Sequence, residues 1–228
     1  GDGGEALQLV RSHVPDIIVS DVMMPRMNGY KLCKTIKEDI NISHIPVILL
    51  TARDDRQSQI SGYKNGADGY LSKPFEVEML MELIRNRLKN REYTKKRYLN
   101  AGLIPTPEES TISLTDETFL IKLNSIIQEN IENSNLGIQF ICQEVGLGRS
   151  SLYNKLKALT GMGANEYISK LRIEKAITLI SGTDMPFSEI AEKTGFTTPS
   201  YFSTAFKQYT GETPSQYKER KKKGLADK

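Results

Sequence analysis

Phe187-Ser188-Glu189-Ile190-Ala191-Glu192-Lys193-Thr194-Gly195-Phe196-Thr197-Thr198-Pro199-Ser200-Tyr201-Phe202-Ser203-Thr204-Ala205-Phe206-Lys207-Gln208-Tyr209-Thr210-Gly211 reads as two short helices joined by a tight turn. Phe187, Ile190, Ala191 and Thr194 fall on one face of the first helix. Gly195 supplies the positive φ that such a turn demands. Thr198 followed by Pro199 is an N-cap with the residue best tolerated at the first helical position. Phe202, Ala205, Phe206 and Tyr209 then recur at helical spacing, and Gly211 is placed to end the helix. This is the grammar of a helix-turn-helix, whose second helix is a candidate for a DNA major groove.

The same pattern occurs upstream. Ile138, Ile141, Cys142 and Val145 precede Gly146; Leu152, Leu156 and Leu159 follow, and Gly161 closes the unit. Leu152 to Phe202 and Gly161 to Gly211 are both 50 residues, so the unit is an internal repeat. Tyr167, Ile168, Leu171, Ile177 and Ile180 predict one long helix between the copies, and Phe119 to Ile131 predict another ahead of them. Arg149, Ser150, Tyr153 and Asn154 point away from the apolar stripe of the first copy, and Pro199, Ser200, Ser203 and Thr204 do so in the second. Asn pairs bidentately with adenine, whereas Ser and Thr are permissive, so the second copy is expected to discriminate less. Arg172 and Lys207 are expected to contact phosphates. Gly195-Phe196, Ser200-Tyr201-Phe202-Ser203, Phe206-Lys207, Gly211, Thr213-Pro214 and Tyr217 resemble the signature of the arabinose-operon regulator (AraC) family over about residues 115–220. That resemblance implies a double-stranded DNA partner, with base contacts at Ser150, Tyr153, Asn154, Ser200 and Thr204.

The first half has a different rhythm. Ile17-Ile18-Val19, Val47-Ile48-Leu49-Leu50 and Tyr70-Leu71 read as buried strands. Around them lie helical patterns at Ala6/Leu7/Val10, Tyr30/Cys33/Ile36, Ile60/Tyr63/Ala67 and Val77/Leu80/Leu83/Ile84/Leu88. Apolar strands alternating with amphipathic helices predict an α/β fold, a doubly wound parallel sheet covered on both faces. Sites in such sheets lie beyond the carboxyl ends of the strands, where Asp21, Thr51 and Lys73 fall. Asp21 can be a nucleophile that carries a phosphoryl group, Lys73 a point charge for phosphate oxygens, and Thr51 a hydroxyl donor to the same oxygens.

Asp16 to Gly29, Pro46 to Ala52 and Gly66 to Phe75 resemble the receiver domain of response regulators. The resemblance implies Asp21 as phosphoacceptor, Thr51 and Lys73 as switch hydroxyl and phosphate-binding lysine, and Tyr70 as the switch aromatic. It also implies a cis Lys73-Pro74 bond, magnesium held by Asp21 and the Met23 backbone carbonyl, and a histidine kinase as phosphodonor. The family's acidic pair, which completes the magnesium site, has no match among Asp2, Glu5 and Asp16. Gly1 to Leu7 resembles the loop after the family's second strand, so the receiver is expected to be N-terminally truncated. Magnesium is then expected only with the upstream segment restored, and the strand carrying Asp21 is left as an edge.

The chain of 228 residues has room for two modest domains, and its 38% hydrophobic content permits globular cores. A net charge of +3 does not by itself indicate a nucleic-acid partner. The expected layout is a receiver at 1–92, a linker at 93–114 containing Gly102, Pro105 and Pro107, a helical DNA-binding domain at 115–220, and a solvated basic tail at 221–228. Cys33 and Cys142 lack metal-ligand spacing and are expected to be buried thiols in a reducing compartment. No apolar run reaches the roughly 18 residues of a membrane span, which favours a cytoplasmic protein or the cytoplasmic end of a membrane-anchored hybrid. The chain is thus expected to be a non-enzymatic, phosphorylation-regulated transcription regulator, dimeric when active. A hybrid with a kinase upstream and a free response regulator fit equally. A phosphohydrolase would want a second carboxylate close after Asp21, where Val22-Met23-Met24 stand. An alternative reading keeps DNA binding but makes the receiver only a dimerisation or interaction module.

Overall fold

A computed structural model of the chain describes residues 1–52, 66–100 and 113–226. These divide into two compact units, Gly1–Leu120 with Ser150–Gly161, and Ile121–Arg149 with Met162–Lys228. The residues up to Leu120 and the segment Ser150–Gly161 fall in the same unit as the sheet.

The first unit opens with helix α1 (Gly3–His13). The Asp2 carboxylate accepts from the backbone N–H of Gly4 at 2.6 Å and of Glu5 at 3.0 Å, while the Glu5 side chain accepts from the Asp2 N–H at 3.3 Å. This reciprocal capping box starts the helix where a loop was expected. Strand β1 (Ile18–Asp21), α2 (Gly29–Glu38), β2 (Val47–Thr51), β3 (Gly69–Ser72) and α3 (Val77–Asn100) follow. The three strands form a parallel sheet in the order β1-β2-β3, with Ile18 opposite Val47 and Ile48 opposite Gly69. β1 is an edge among the described strands.

Side chains alternate across a strand, and the packing on the two faces follows. Ile18, Val47 and Leu49 bury with Val10 of α1 and with Leu32, Cys33 and Ile36 of α2. On the other face, a Cβ at Gly69 would lie 3.3 Å from both Ile48 and Leu83, which brings α3 close against that side. The sheet is therefore wound on both faces, as expected for the α/β class. The helix expected from Ile60 and Tyr63 lies outside the described residues. α3 runs through the charged residues 85–98 to Asn100. Its charges pair along the helix, Arg85 with Glu82 and Lys95 with Glu92, so a high charge density here extends a helix instead of ending it.

Helix α4 (Leu114–Glu129) is shared between the units. α5 (Ile138–Val145) ends at Gly146 in the left-handed conformation, and α6 (Arg149–Thr160) ends at Gly161, φ +77°. α7 (Ala164–Gly182), α8 (Phe187–Lys193), α9 (Pro199–Thr210) and α10 (Pro214–Ala226) complete the chain. Ile173, Ala176 and Ile180 of α7 bury with Ile190, Ala191, Phe196, Phe202, Phe206 and Tyr217. Ring centroids 5.4 to 5.7 Å apart run Phe196–Phe202–Phe206–Tyr217, within the range where tilted and edge-to-face aromatic pairs stabilise a core. α10 continues through Ala226, so most of the expected basic tail is helical, with Arg220 paired to Glu212 at 2.6 Å. Cys33 is buried as expected, whereas Cys142 is only half-buried.

Candidate functional site

At the carboxyl ends of the strands, Asp21 closes β1, Thr51 closes β2, and Lys73 follows β3. The Lys73 ammonium hydrogen-bonds the Asp21 carboxylate directly. The Lys73 backbone N–H donates to the Thr51 carbonyl at 2.7 Å, and the Lys73-Pro74 bond is cis. The Met23 N–H donates to Asp21 Oδ1 at 3.1 Å. The hydrogen bond from Lys73 holds the Asp21 carboxyl below the ordinary carboxylate range, with the backbone N–H groups of Met23 and Val22 helping against partial burial. The loop after β1 turns back tightly: Gly29 N–H donates to the Val22 carbonyl at 3.0 Å, and a Cβ at Gly29 would sit 2.4 Å from the Asp21 carbonyl oxygen. Thr51 is buried, and Tyr70 is half-buried with its ring 6.5 Å from that of Tyr30. The fold thus brings Asp21 and Lys73 into contact and sets Thr51 on the neighbouring strand end.

The chemistry of this pair is that of an ionised carboxylate nucleophile beside a fixed cation. Magnesium is less well served. Among the described residues no group of three or more His, Cys, Asp or Glu side chains is placed to hold a metal ion. Asp2 and Glu5 are committed to the α1 cap, and both pair with Arg26 of the loop after β1. Asp21 and the Met23 carbonyl would supply two protein oxygens to a magnesium ion, and water would have to complete its octahedron.

The second candidate surface is helical. On α6, Arg149, Ser150, Tyr153, Asn154 and Lys157 are exposed, while Leu152, Lys155, Leu156 and Leu159 are buried. On α9, Ser200, Tyr201, Thr204 and Lys207 are exposed and Ser203 is half-buried. The Thr198 side chain accepts from the Tyr201 N–H at 3.1 Å, ahead of Pro199 at the first position, as the sequence predicts. Exposed Tyr201 and Lys157 on these faces escaped the sequence reading. Both follow residues that were singled out, Ser200 and Asn154, or lie within a turn of them.

Arg172 requires a correction. It was expected on the DNA backbone, but it is only 9% exposed, and its Nη2 donates to the Asn133 carbonyl at 2.7 Å. A guanidinium so committed is not presented to a phosphate, and Arg172 leaves the set of phosphate contacts.

Lys155 and Asp116 were also missed. The Lys155 ammonium, fully buried, pairs with the Asp116 carboxylate at the start of α4. Lys155 also donates to Ser43 Oγ at 2.8 Å; Ser43 and Ser113 donate in turn to Asp116 at 2.7 and 2.8 Å. Burial raises the Asp116 carboxyl, but the Lys155 charge and these hydrogen bonds outweigh it and keep it below the ordinary range. Burial lowers the Lys155 ammonium more than Asp116 raises it. Through this cluster, Lys155 of α6 and Asp116 of α4 are joined to Ser43, which follows α2.

Comparison with known proteins identifies two domain families in the chain. Residues 1–85 match the response regulator receiver domain family, and residues 141–220 match a helix-turn-helix domain family. The chain is 30% identical over 176 residues to the probable transcriptional regulator ycf29 of Pyropia yezoensis, covering 72% of this chain and 79% of that one. It is 42% identical over 219 residues to histidine kinase P4 of Formosa agariphila, covering 96% of this chain but spanning only 16% of the kinase. The C-terminal domain of AraT, a response regulator from Geobacillus stearothermophilus, aligns with 45% of this chain and 84% of its own at 31% identity and a TM-score of 0.42. The chain belongs to the response regulators, with a receiver domain followed by a helix-turn-helix DNA-binding domain of the AraC type. Receiver domains in general bind magnesium for phosphorylation, and among the described residues no helix is long and apolar enough to cross a membrane.

Proposed function

We propose that the chain is a transcription regulator controlled by phosphorylation at Asp21, with α6 and α9 as its two DNA-reading helices. The observation that carries the reading is the pair of exposed polar faces, Ser150/Tyr153/Asn154 and Ser200/Thr204, at equivalent positions of a repeated unit. An Asp21 carboxylate oxygen attacks the phosphorus of a phosphohistidine donor supplied by a histidine kinase, the P–N bond breaks, and the donor's imidazole leaves as the aspartyl phosphate forms. Lys73 meets the transferred oxygens and Thr51 donates to one of them. Tyr70 is the aromatic that responds. The helical domain at 115–220 reads DNA through Arg149, Ser150, Tyr153, Asn154, Ser200, Ser203 and Thr204, with Lys207 on the phosphates, and two copies meet when active. The Formosa kinase supports a setting in which kinase, receiver and DNA-binding domain share one longer chain.

Footprinting after selection from a randomised duplex pool tests the DNA assignment. Two protected major-groove segments about one helical turn apart, roughly 34 Å, are expected. Asn154→Ala should relax preference at one position at a cost of about 1–3 kcal/mol, and Lys207→Ala should weaken all sequences alike and reduce the salt slope by about 1. A single protected segment, or an Asn154→Ala variant with unchanged preference, would defeat the two-reader assignment. For the receiver, a small-molecule phosphodonor with magnesium should label residues 1–228 weakly, because among the described residues no group of three or more His, Cys, Asp or Glu side chains is placed to hold the ion. Asp21→Asn should remove what labelling there is. Strong magnesium-dependent labelling of this chain would contradict the donor count, and labelling that survives Asp21→Asn would exclude Asp21 as acceptor.

A further inference from the structure

Three segments of the helical unit converge on the turn between α8 and α9. Gly195 holds that turn at φ +70°, and a Cβ there would lie 2.2 Å from the Ile131 carbonyl and 2.8 Å from Arg172 Nη2. Arg172 reaches this point from α7. Its Nη2 donates to the Asn133 carbonyl in the connection between α4 and α5, and its guanidinium carbon lies 5.9 Å from the centre of the Phe196 ring. Phe196 in turn contacts Phe202 in the buried core at 5.4 Å and Tyr201 edge-on at 5.8 Å. Tyr201 is 55% exposed, beside Ser200 on the proposed reading face of α9. One turn along α7, Lys175 pairs with Glu132 of the same connection at 3.2 Å, a second tie between α7 and the same connection.

We propose that Arg172 is a positioning residue for the second DNA-reading helix, joining the α4–α5 connection to the start of α9 and so fixing how Ser200, Tyr201 and Thr204 meet a duplex. The inference rests on the DNA-reading assignment of α9. A guanidinium suits this role because it is planar and forked: one edge donates to a carbonyl while its face lies against an aromatic ring. Lysine retains the charge and a donor for Asn133 but offers no flat face to Phe196. Methionine fills the space and offers neither. No base or phosphate contact by Arg172 is involved; its effect passes through Phe196 and Tyr201.

The test uses the full chain and the duplexes that the wild type selects from a randomised pool. Wild type, Arg172→Lys and Arg172→Met are compared by footprint, by affinity for duplexes with single changes in each protected segment, and by affinity against salt, with circular dichroism melts alongside. The expected result for Arg172→Met is a footprint kept over the α6 segment and lost over the α9 segment. Discrimination among bases should fall about tenfold in the α9 segment, the loss of one good base contact, and hold in the other. Arg172→Lys should lie between wild type and Arg172→Met, and it carries the test alone if Arg172→Met does not melt cooperatively. A uniform loss across all duplexes with a salt slope smaller by about one would make Arg172 a phosphate contact and overturn the proposal. Unchanged discrimination in the α9 segment in folded variants would also overturn it. A wild-type chain that selects no sequence overturns the DNA-reading assignment itself, and this inference with it.

Discussion

Removing the Asp116 carboxylate should be among the most damaging single changes in the molecule, and its cost can be bounded. Lys155 is fully buried, and its ammonium faces Asp116, Ser43 and the Phe119 ring, 5.1 Å from the ring centre. Breaking a buried pair from one side typically costs about 3–5 kcal/mol, because the remaining charge is stranded. Lys155 has one escape, which is to release its proton. Doing so at pH 7 costs the free energy of deprotonating an ordinary lysine, roughly 4–5 kcal/mol from a reference pKa near 10.4. The two routes agree, so Asp116→Ala should cost about 3–5 kcal/mol, lowering Tm by about 2–4 °C per kcal/mol for a chain of this size.

The escape route also has a pH signature. In Asp116→Ala the folded state holds Lys155 neutral and the unfolded state holds it protonated. The unfolded state then binds more protons, and stability rises with pH by about 1.4 kcal/mol per unit until the unfolded lysine titrates. The deficit against wild type should therefore shrink between pH 7 and 9. In the wild type the sign at the acid end is the usual one for a depressed carboxyl: the Asp116 contribution is present above the unfolded value and lost as pH falls through the folded one. Urea unfolding followed by circular dichroism at several pH values measures all of this. The double variant Asp116→Leu/Lys155→Met should recover most of the loss, since apolar replacement of both partners of a buried pair is often neutral. A deficit below about 1 kcal/mol, the level of an exposed pair, or one that stays flat from pH 7 to 9, would refute the reasoning.

Three further outcomes follow from the site geometry. Lys73→Ala removes the main cause of the depressed Asp21 carboxyl, so its pKa, followed by carbon NMR, should rise toward the ordinary carboxylate value; no movement would mean the contact is not populated. Gly29→Ala places a Cβ 2.4 Å from the Asp21 carbonyl oxygen and should cost about 1–3 kcal/mol of overpacking while shifting the Asp21 resonances; a neutral melt would show that the loop after β1 can yield. A thiol reagent should modify half-buried Cys142 in the native protein and reach Cys33 only on unfolding, since burial removes access and pushes the Cys33 thiol up to about 12; native modification of Cys33 would contradict the packing of α2.

Where the sequence was legible, a local rule decided the answer. Asp21, Thr51 and Lys73 could be named because parallel strands end on one side of a sheet, and three strand ends suffice to place three side chains. The start of α9 could be read because Thr198-Pro199 is a cap whose meaning does not depend on distant contacts. The charged run at residues 85–98 could be read as an extension of α3, because its charges pair at helical spacing, Arg85 with Glu82 and Lys95 with Glu92. Lys155 left a trace that was passed over: Leu152, Lys155, Leu156 and Leu159 stand at i, i+3, i+4 and i+7, so the lysine occupies a core position of its own helix. A lysine there must have a buried anion. Its partner, Asp116, is 39 residues earlier and could not be identified without coordinates. Arg172 left no trace at all. α7 buries Tyr167, Ile168, Lys170, Leu171, Arg172, Ile173, Ala176 and Ile180, which surround most of its circumference. Periodicity reports which stripe of a helix is apolar, and a helix enclosed on nearly every side gives it no contrast to report. An arginine on such a helix reads from sequence as surface charge. It is the chain arriving from Asn133 and Phe196 that makes it an internal tie.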